Sequence, residues 1–487
     1  MISRYTTGSA PRTLAGLAFM VLSLSSATSH ADERIFGNPD WYGGRGYATA
    51  PGDFDGNGTV DLLTTRPPRY DSFGQLIEYG NYTIYLNRDG QGSFEDVTID
   101  ADYGTWTLVV GDLNGDKAVD AVDDNGVVLL GNGDGSFVVG GSYDNGQGSV
   151  RALALGDMDN DNDLDIVVPN GGHVLLNDGT GSFYTNFVGS DVEGGIGVAL
   201  CDVNEDQVLD IVTVDGFASV ARIQLGLGDG QGNPGPPYDV GVGGARPNAV
   251  YAADMNVDGH IDLVTLNLET DEVAVVLGHG DGTFDSPKRF LGHAPGYYES
   301  YVLTVADVTG NDVPDVMVSS TLYGNGWSHE ETSIFVNDGD GNLDFVQEIE
   351  YFGESWQNIV AADINDDNLM DLATGSHILF NQLDLSFQIN GSCPGRMTFE
   401  VHGAASGGTV AFLYALETGE ARIPSGYPCA VTLLGLREGY RLAHVATADA
   451  SGIASFSTQV PLKACGQAYI QALDVETCRT TLVLKVQ

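Results

Sequence analysis

Carboxylates recur along this chain at a spacing that could hold a metal ion. The clearest instance is Asp157-Met158-Asp159-Asn160-Asp161-Asn162-Asp163-Leu164-Asp165, with Asp at positions 1, 3, 5 and 9 and a backbone carbonyl on offer at position 7. A row of hard oxygen donors on one tight loop is what Ca²⁺ requires. An apolar run, Leu153-Ala154-Leu155, precedes the loop, and Ile166-Val167-Val168 follows it. Both runs have strand length and character. The unit reads strand, metal loop, strand.

Six further copies begin at Asp53, Asp112, Asp202, Asp254, Asp307 and Asp363. The expected ligands are therefore Asp53, Asp55, Asn57 and Asp61; Asp112, Asn114, Asp116 and Asp120; and Asp157, Asp159, Asp161 and Asp165. They continue with Asp202, Asn204, Asp206 and Asp210, then Asp254, Asn256, Asp258 and Asp262. The last two sets are Asp307, Thr309, Asn311 and Asp315, and Asp363, Asn365, Asp367 and Asp371. Up to seven Ca²⁺ ions are implied. EF-hands are excluded, because position 12 is never Glu and the flanks are β-rich. Asx turns alone would explain the residue types. Three or four carboxylates packed in one turn repel strongly without a cation, which favours the metal. The Asp157 loop, with four Asp, is expected to keep its ion longest and the Asp307 loop to lose it first.

The copies lie 45 to 59 residues apart, so each belongs to one repeated supersecondary unit. The residue before each first Asp is small: Gly52, Gly111, Gly156, Cys201, Ala253, Ala306 and Ala362. That suits a crowded innermost strand and makes Cys201 a small buried residue rather than a redox group. Most repeats also carry an apolar strand, an Asn/Gly/Asp turn and then Phe, as in Leu175-Leu176-Asn177-Asp178-Gly179-Thr180-Gly181-Ser182-Phe183. This is a hairpin signal. Each repeat then holds four strands, A to D, with the metal loop between A and B. Seven such units predict an all-β chain whose residues 32–388 form a seven-bladed β-propeller.

These repeats resemble the FG-GAP/VCBS family, the propeller also found in integrin α-subunits, over about residues 45 to 390. The resemblance implies Ca²⁺ in the A–B loops, on the face opposite the ligand-binding face. Aromatic residues gather in or beside the D–A and B–C connections, which lie on that opposite face in a propeller. Trp41, Arg45, Tyr103, Trp106, Tyr298, Trp327 and Trp356 are the candidate ligand contacts. The longest B–C insertions, 66–81 and 319–332, fall in repeats one and six. Exposed aromatics on a rigid scaffold anchor partners or stack on sugars, although the same rings could plug the channel mouth.

A net charge of −47, from 20 basic and 67 acidic residues, argues against nucleic acid and anionic membranes as partners. Arg4, Arg12, the apolar run 14–24 and Ser29-His30-Ala31 read as a signal peptide over residues 1–31, cleaved near Ala31. The mature protein is expected to be secreted or at the cell surface, monomeric, and not inserted in a membrane. Residues 389–487 read as a separate β-sandwich with Cys393, Cys429, Cys465 and Cys478. It looks like a small module at the C-termini of exported bacterial repeat proteins. Four Cys allow three pairings. Simple up-and-down alternation of the strands favours Cys393–Cys465 and Cys429–Cys478.

No nucleophile–base motif stands out: there is no G-x-S-x-G, and Ser328-His329-Glu330-Glu331 lacks the second His of H-E-x-x-H. Two function classes follow. The favoured one is a Ca²⁺-stabilised extracellular binding or adhesion protein for a glycan or surface protein. The other is an exported polysaccharide hydrolase or lyase.

Overall fold

The computed structural model describes residues 35–486 except 37–39, 43–47, 67–68, 71–74, 79, 91, 101–104, 106, 144–151, 170–171, 188–194, 293–297, 325–326, 352–357, 367–368, 382–385, 392, 403–407, 423–432, 438–439, 449–452, 476–478 and 481–483. Residues 1–31, expected to be a signal peptide, therefore lie outside the described residues. Among those residues no helix is long and apolar enough to cross a membrane. The described residues are all-β and antiparallel, with one short 3₁₀ turn among them at Leu462–Ala464.

Seven four-stranded sheets follow one another along the chain. The third shows the plan: Ala154–Gly156, Asp165–Val168, His173–Asn177 and Phe183–Phe187 pair in sequence order as strands A to D. Strand B of every sheet begins at the ninth residue of the acidic phrase: Asp61, Asp120, Asp165, Asp210, Asp262, Asp315 and Asp371. Strand B is buried along most or all of its length in Asp61–Arg66, Asp210–Asp215 and Asp262–Asn267. Strand D is the most exposed, as in Lys288–Leu291.

Burial on both faces has a simple cause. Successive side chains of a strand point to opposite faces, and each face meets a different neighbouring sheet. In the fifth sheet Leu263 joins a core shared with the fourth, and Val264 joins a core shared with the sixth. Corresponding cores join sheets one and two, two and three, three and four, and six and seven. A further core joins the seventh sheet (Ala362, Ile364, Ala373, Ile378) to the first (Leu62, Tyr85). The apolar interior is thus a cycle of seams. The small residues before each loop face these seams: a Cβ on Gly111 would meet Leu164 Cδ1 of the next sheet at 2.6 Å. Cys201 is buried there as a free thiol, which burial pushes up to about 12.

The seventh sheet departs from the plan. After Ile359–Ala362, Asp371–Thr374 and His377–Leu379, its fourth strand is Asp40–Trp41, from the start of the chain. Ile35 and Phe36, both 0% exposed, enter the core between sheets six and seven. Gln347 accepts a hydrogen bond from the Phe36 backbone N–H (3.0 Å) and donates to its carbonyl (2.8 Å). Tyr42 sits in the seam between sheets seven and one, its ring 4.7 Å from Tyr85 and its hydroxyl donating to the Thr374 carbonyl. Residues 40–41 are therefore an outer strand of the last sheet, and Trp41 lies beside the connection that leads into Ala48–Gly52. The sequence pattern does not show this pairing, because Asp40 and Trp41 meet Ile378 and His377, from the far end of the repeats.

The C-terminal unit begins earlier than residue 389, since Ser386–Asn390 already pairs with Gly395–His402. With Ala454–Val460 these make a three-stranded sheet. Thr409–Ala415, flanked by Arg441–Thr447 and Tyr469–Asp474, centres a second sheet. Met397, Phe399 and Val401 of one share a core with Val410, Phe412 and Ile470 of the other. Cys393 and Cys465 form a disulfide with Cα atoms 5.6 Å apart. Gly395 pairs with Val460, which brings the segments holding the two Cys to one end. This pair matches the alternation argument. Cys429 and Cys478 lie outside the described residues.

Phe36→Ala should lower stability by about 3–5 kcal/mol, the usual cost of emptying a buried aromatic site. Urea unfolding measures it, and an unchanged midpoint would show that the N-terminal strand is dispensable.

Candidate functional site

The acidic loops share one geometry. Positions 4 and 6 adopt left-handed backbone, as at Gly56 and Gly58, Asn160 and Asn162, and Glu205 and Gln207. The turn brings amides onto the first carboxylate. Asp157 accepts the Asp161 N–H on Oδ1 (3.0 Å) and the Asn162 N–H on Oδ2 (2.9 Å). Asp53, Asp202, Asp254 and Asp307 do the same with their positions 5 and 6. The residue at position 5 then accepts the N–H of position 7, as Asp161 does from Asp163 at 2.9 Å.

The ninth residue is the deepest. Each of the seven is 0% exposed. In every loop Oδ2 accepts the backbone N–H of position 2, and Oδ1 accepts a backbone N–H at the end of strand C. For Asp165 the donors are Met158 (2.7 Å) and Asn177 (2.8 Å). Burial outweighs these bonds and pushes the carboxyls up, to about 6 at Asp61, Asp210 and Asp262, about 7 at Asp165 and about 8 at Asp315. Neighbouring loop carboxylates add to the rise.

Two residue sets that the sequence reading did not single out emerge here. The first is position 2: Phe54, Leu113, Met158, Val203, Met255, Val308 and Ile364, all buried in the seam with the next sheet. The second is the end of strand C. Asn87, Asn177, Asn337 and Asn381 each donate from Nδ2 to the position-8 carbonyl of their own loop and to the position-2 carbonyl of the preceding sheet, at 2.6–3.2 Å. The other sheets have Gly131, Gly226 and Gly278 at this place. A Cβ there would meet the position-8 carbonyl at 2.4, 2.5 and 2.1 Å. The signal was present in the sequence, as an apolar residue always at position 2 and Asn or Gly always closing strand C.

The loops differ in how their acids meet. Carboxylate oxygens of Asp53, Asp55 and Asp61, and of Asp157, Asp159 and Asp165, lie within 4.8 Å of one another. In the third loop Asp159 Oδ1 is buried with no hydrogen-bond partner. Elsewhere the acids are partly satisfied within the loop. Asn114, Asn204 and Asn256 donate to Asp116, Asp206 and Asp258 at 2.8–3.0 Å. In the sixth loop Thr309 Oγ1 lies 3.3 Å from Asp307. Asp363, Asn365 and Asp371 are described in the seventh loop, whereas Asp367 lies outside the described residues.

Arg45, Tyr103, Trp106 and Trp356 lie outside the described residues. Tyr298 opens the strand Tyr298–Ala306. The expected insertion at 319–332 is not a loop. It continues the strands Asp315–Gly324 and Trp327–Asn337, and Trp327 pairs with Gly324 at the hairpin tip, away from the acidic loop. The first insertion holds a small hairpin, Arg69–Tyr70 with Leu76–Glu78. The C-terminal unit carries a cleft of about 1010 Å³ with Phe399, Phe456 and Ile470 on its floor and Arg437, Arg441 and Lys463 at its rim. Glu417 is the one carboxylate among the described residues of that lining.

A family model described as an FG-GAP-like repeat matches residues 254–318, which contain the fifth and sixth loops. Integrin alpha pat-2 of Caenorhabditis briggsae is 26% identical over 283 residues. That match takes in 58% of this chain and 18% of the integrin's length. A Photorhabdus luminescens Tc holotoxin pore aligns over 85% of this chain and 21% of its own, at 12% identity and a TM-score of 0.33. That likeness carries no structural argument.

A carboxyl whose folded pKa lies above its ordinary value stabilises the fold below that ordinary value and loses the contribution as pH rises through the folded one. Without divalent cations, melting temperature should therefore fall between about pH 5 and pH 8. Thermal melts in chelator across that range test this; a rise would contradict it.

Proposed function

We propose that this FG-GAP repeat protein is an exported, seven-bladed β-propeller whose A–B loops hold Ca²⁺ as structural ions. Its opposite face would engage an extracellular glycan or surface protein. The cycle of seams, with the seventh sheet packed on the first, supports the propeller. The observation that carries the calcium reading is the third loop, where three carboxylates converge and Asp159 Oδ1 is buried without a partner.

Asp157, Asp159, Asp161 and Asp165, with the Asp163 carbonyl, would hold the ion there. Bound calcium would supply positive charge where burial and mutual repulsion now penalise ionised carboxylates. The chain supplies the rest: amides orient Asp157, and the clamp on Asp165 holds the loop to strand C. The ligand reading rests on the extended hairpin of the sixth sheet, which carries Trp327 away from the acidic loops. The integrin match supports an extracellular or surface setting for binding of this kind.

Calcium added to chelator-stripped protein should raise the melting temperature. A site at a hundredfold excess over Kd adds about 2.7 kcal/mol, so several sites give a large shift. A melt indifferent to calcium would remove the metal from this account. For the ligand face, the test is glycan and surface-protein arrays probed with Trp327→Ala and Trp356→Ala. Binding should drop at least about tenfold if these rings are anchors; unchanged binding would count against them.

A further inference from the structure

The first and third loops are the two, among the described residues, in which three carboxylate oxygens converge. They differ at position 5, Asn57 against Asp161, and in one neighbour. Arg88 directly follows Asn87 in the C–D turn of the first sheet. Its Nη1 forms an ion pair with Asp55 Oδ2, and its Nε donates to Glu95 Oε2 at 3.2 Å. The Asp55 side chain is 2% exposed and that of Arg88 50%. The equivalent turn position in other sheets holds Asn132, Asp178, Leu227, His279 and Asp338. None is a permanent cation. The third loop has five Asp between 157 and 165 and an acid, Asp178, at that turn position.

Building on the calcium reading above, we propose that Arg88 is a built-in competitor for the first loop, making it the weaker of the two carboxylate-triad sites. Calcium affinity in oxygen-ligand loops is tuned by ligand charge and rigidity. A guanidinium on Asp55 takes up lone pairs that the ion would use and offsets one of the loop's three negative charges. Arginine does not deprotonate, so it leaves only by moving. Glu95 gives it somewhere to remain: the Nε contact can persist while Nη1 swings off Asp55. The first loop thus holds a cation of its own and exchanges it for Ca²⁺, whereas the third loop has none at that position to exchange.

Hydrogen exchange with mass spectrometry on the full chain, over a series of buffered free calcium concentrations, reads each loop separately. Peptides covering residues 53–61 and 157–165 report the two sites. In the unmodified chain the third loop should become protected at about tenfold lower calcium than the first, given the charge difference. Arg88→Gln should lower the first-loop midpoint by about tenfold and leave the third unmoved. Arg88→Lys keeps the cation and should stay near the parent value. A first-loop midpoint that is unmoved or raised in Arg88→Gln, while the third loop responds normally, overturns the proposal and leaves the calcium reading intact. If neither loop responds to calcium in the unmodified chain, the calcium reading falls first and the proposal with it.

Discussion

A buried carboxylate with one backbone amide on each oxygen holds the corner of every sheet. The ninth residue of the phrase is the first of strand B, and its two bonds reach back to position 2 and across to the end of strand C. Hydrogen bonds to an ionised group are worth more than neutral ones, about 1.5–3 kcal/mol. They meet a real opposing cost here, because the group is wholly buried and its acidity is weakened. Only a carboxylate presents two acceptors at this span; an amide would turn a donor toward a donor. The same position-2 residue carries the apolar side chain that fills the next seam, and its carbonyl is taken by a neighbouring sheet in most repeats. Loop, strand and seam are therefore coupled through one short segment.

The loop is held by its own backbone. Its first carboxylate is satisfied by the loop's own amides, and left-handed residues at positions 4 and 6 make those amides converge. Val257 accepts this backbone at φ 55 despite its branched side chain, which is unfavourable for such a residue. What the turn does not resolve is charge. In the first and third loops, acids at positions 1, 3 and 9 face one another across a few ångströms, and the chain as a whole carries −47. A divalent cation would relieve local repulsion without requiring the turn to reform. Arg88 does part of the same work at the first loop with the chain's own charge.

The cycle of seams has to begin and end somewhere, and the chain's two ends manage this differently. The N-terminal segment adds an outer strand to the last sheet and buries Ile35 and Phe36 between sheets six and seven. Asn358 adds a second tie, exchanging hydrogen bonds with both backbone groups of Thr49 at 2.6 and 2.7 Å. The C-terminal unit keeps its own core and closes a 72-residue span with the Cys393–Cys465 bond. A cross-link over such a span removes unfolded-chain freedom worth on the order of 4 kcal/mol in the chain-entropy account.

By itself the sequence determined the repeat, the place of each acidic loop, the four antiparallel strands and the small residue at each seam. These are written in local chemistry: strand periodicity, turn residues at fixed offsets and crowding at one position. The Cys393–Cys465 pair was reachable as well, because strand alternation decides which turns share an end. Tertiary structure alone decided which acids serve as clamps, which loops gather three carboxylates, and which sheet the N-terminal strand joins. The partners in those decisions stand 26 residues apart for Asp61 and Asn87 and 311 apart for Phe36 and Gln347. Trp41 shows the consequence. It stands beside the first repeat in the sequence and pairs into the seventh sheet. A strand's residue types show that it needs a partner, and only the folded chain selects which one.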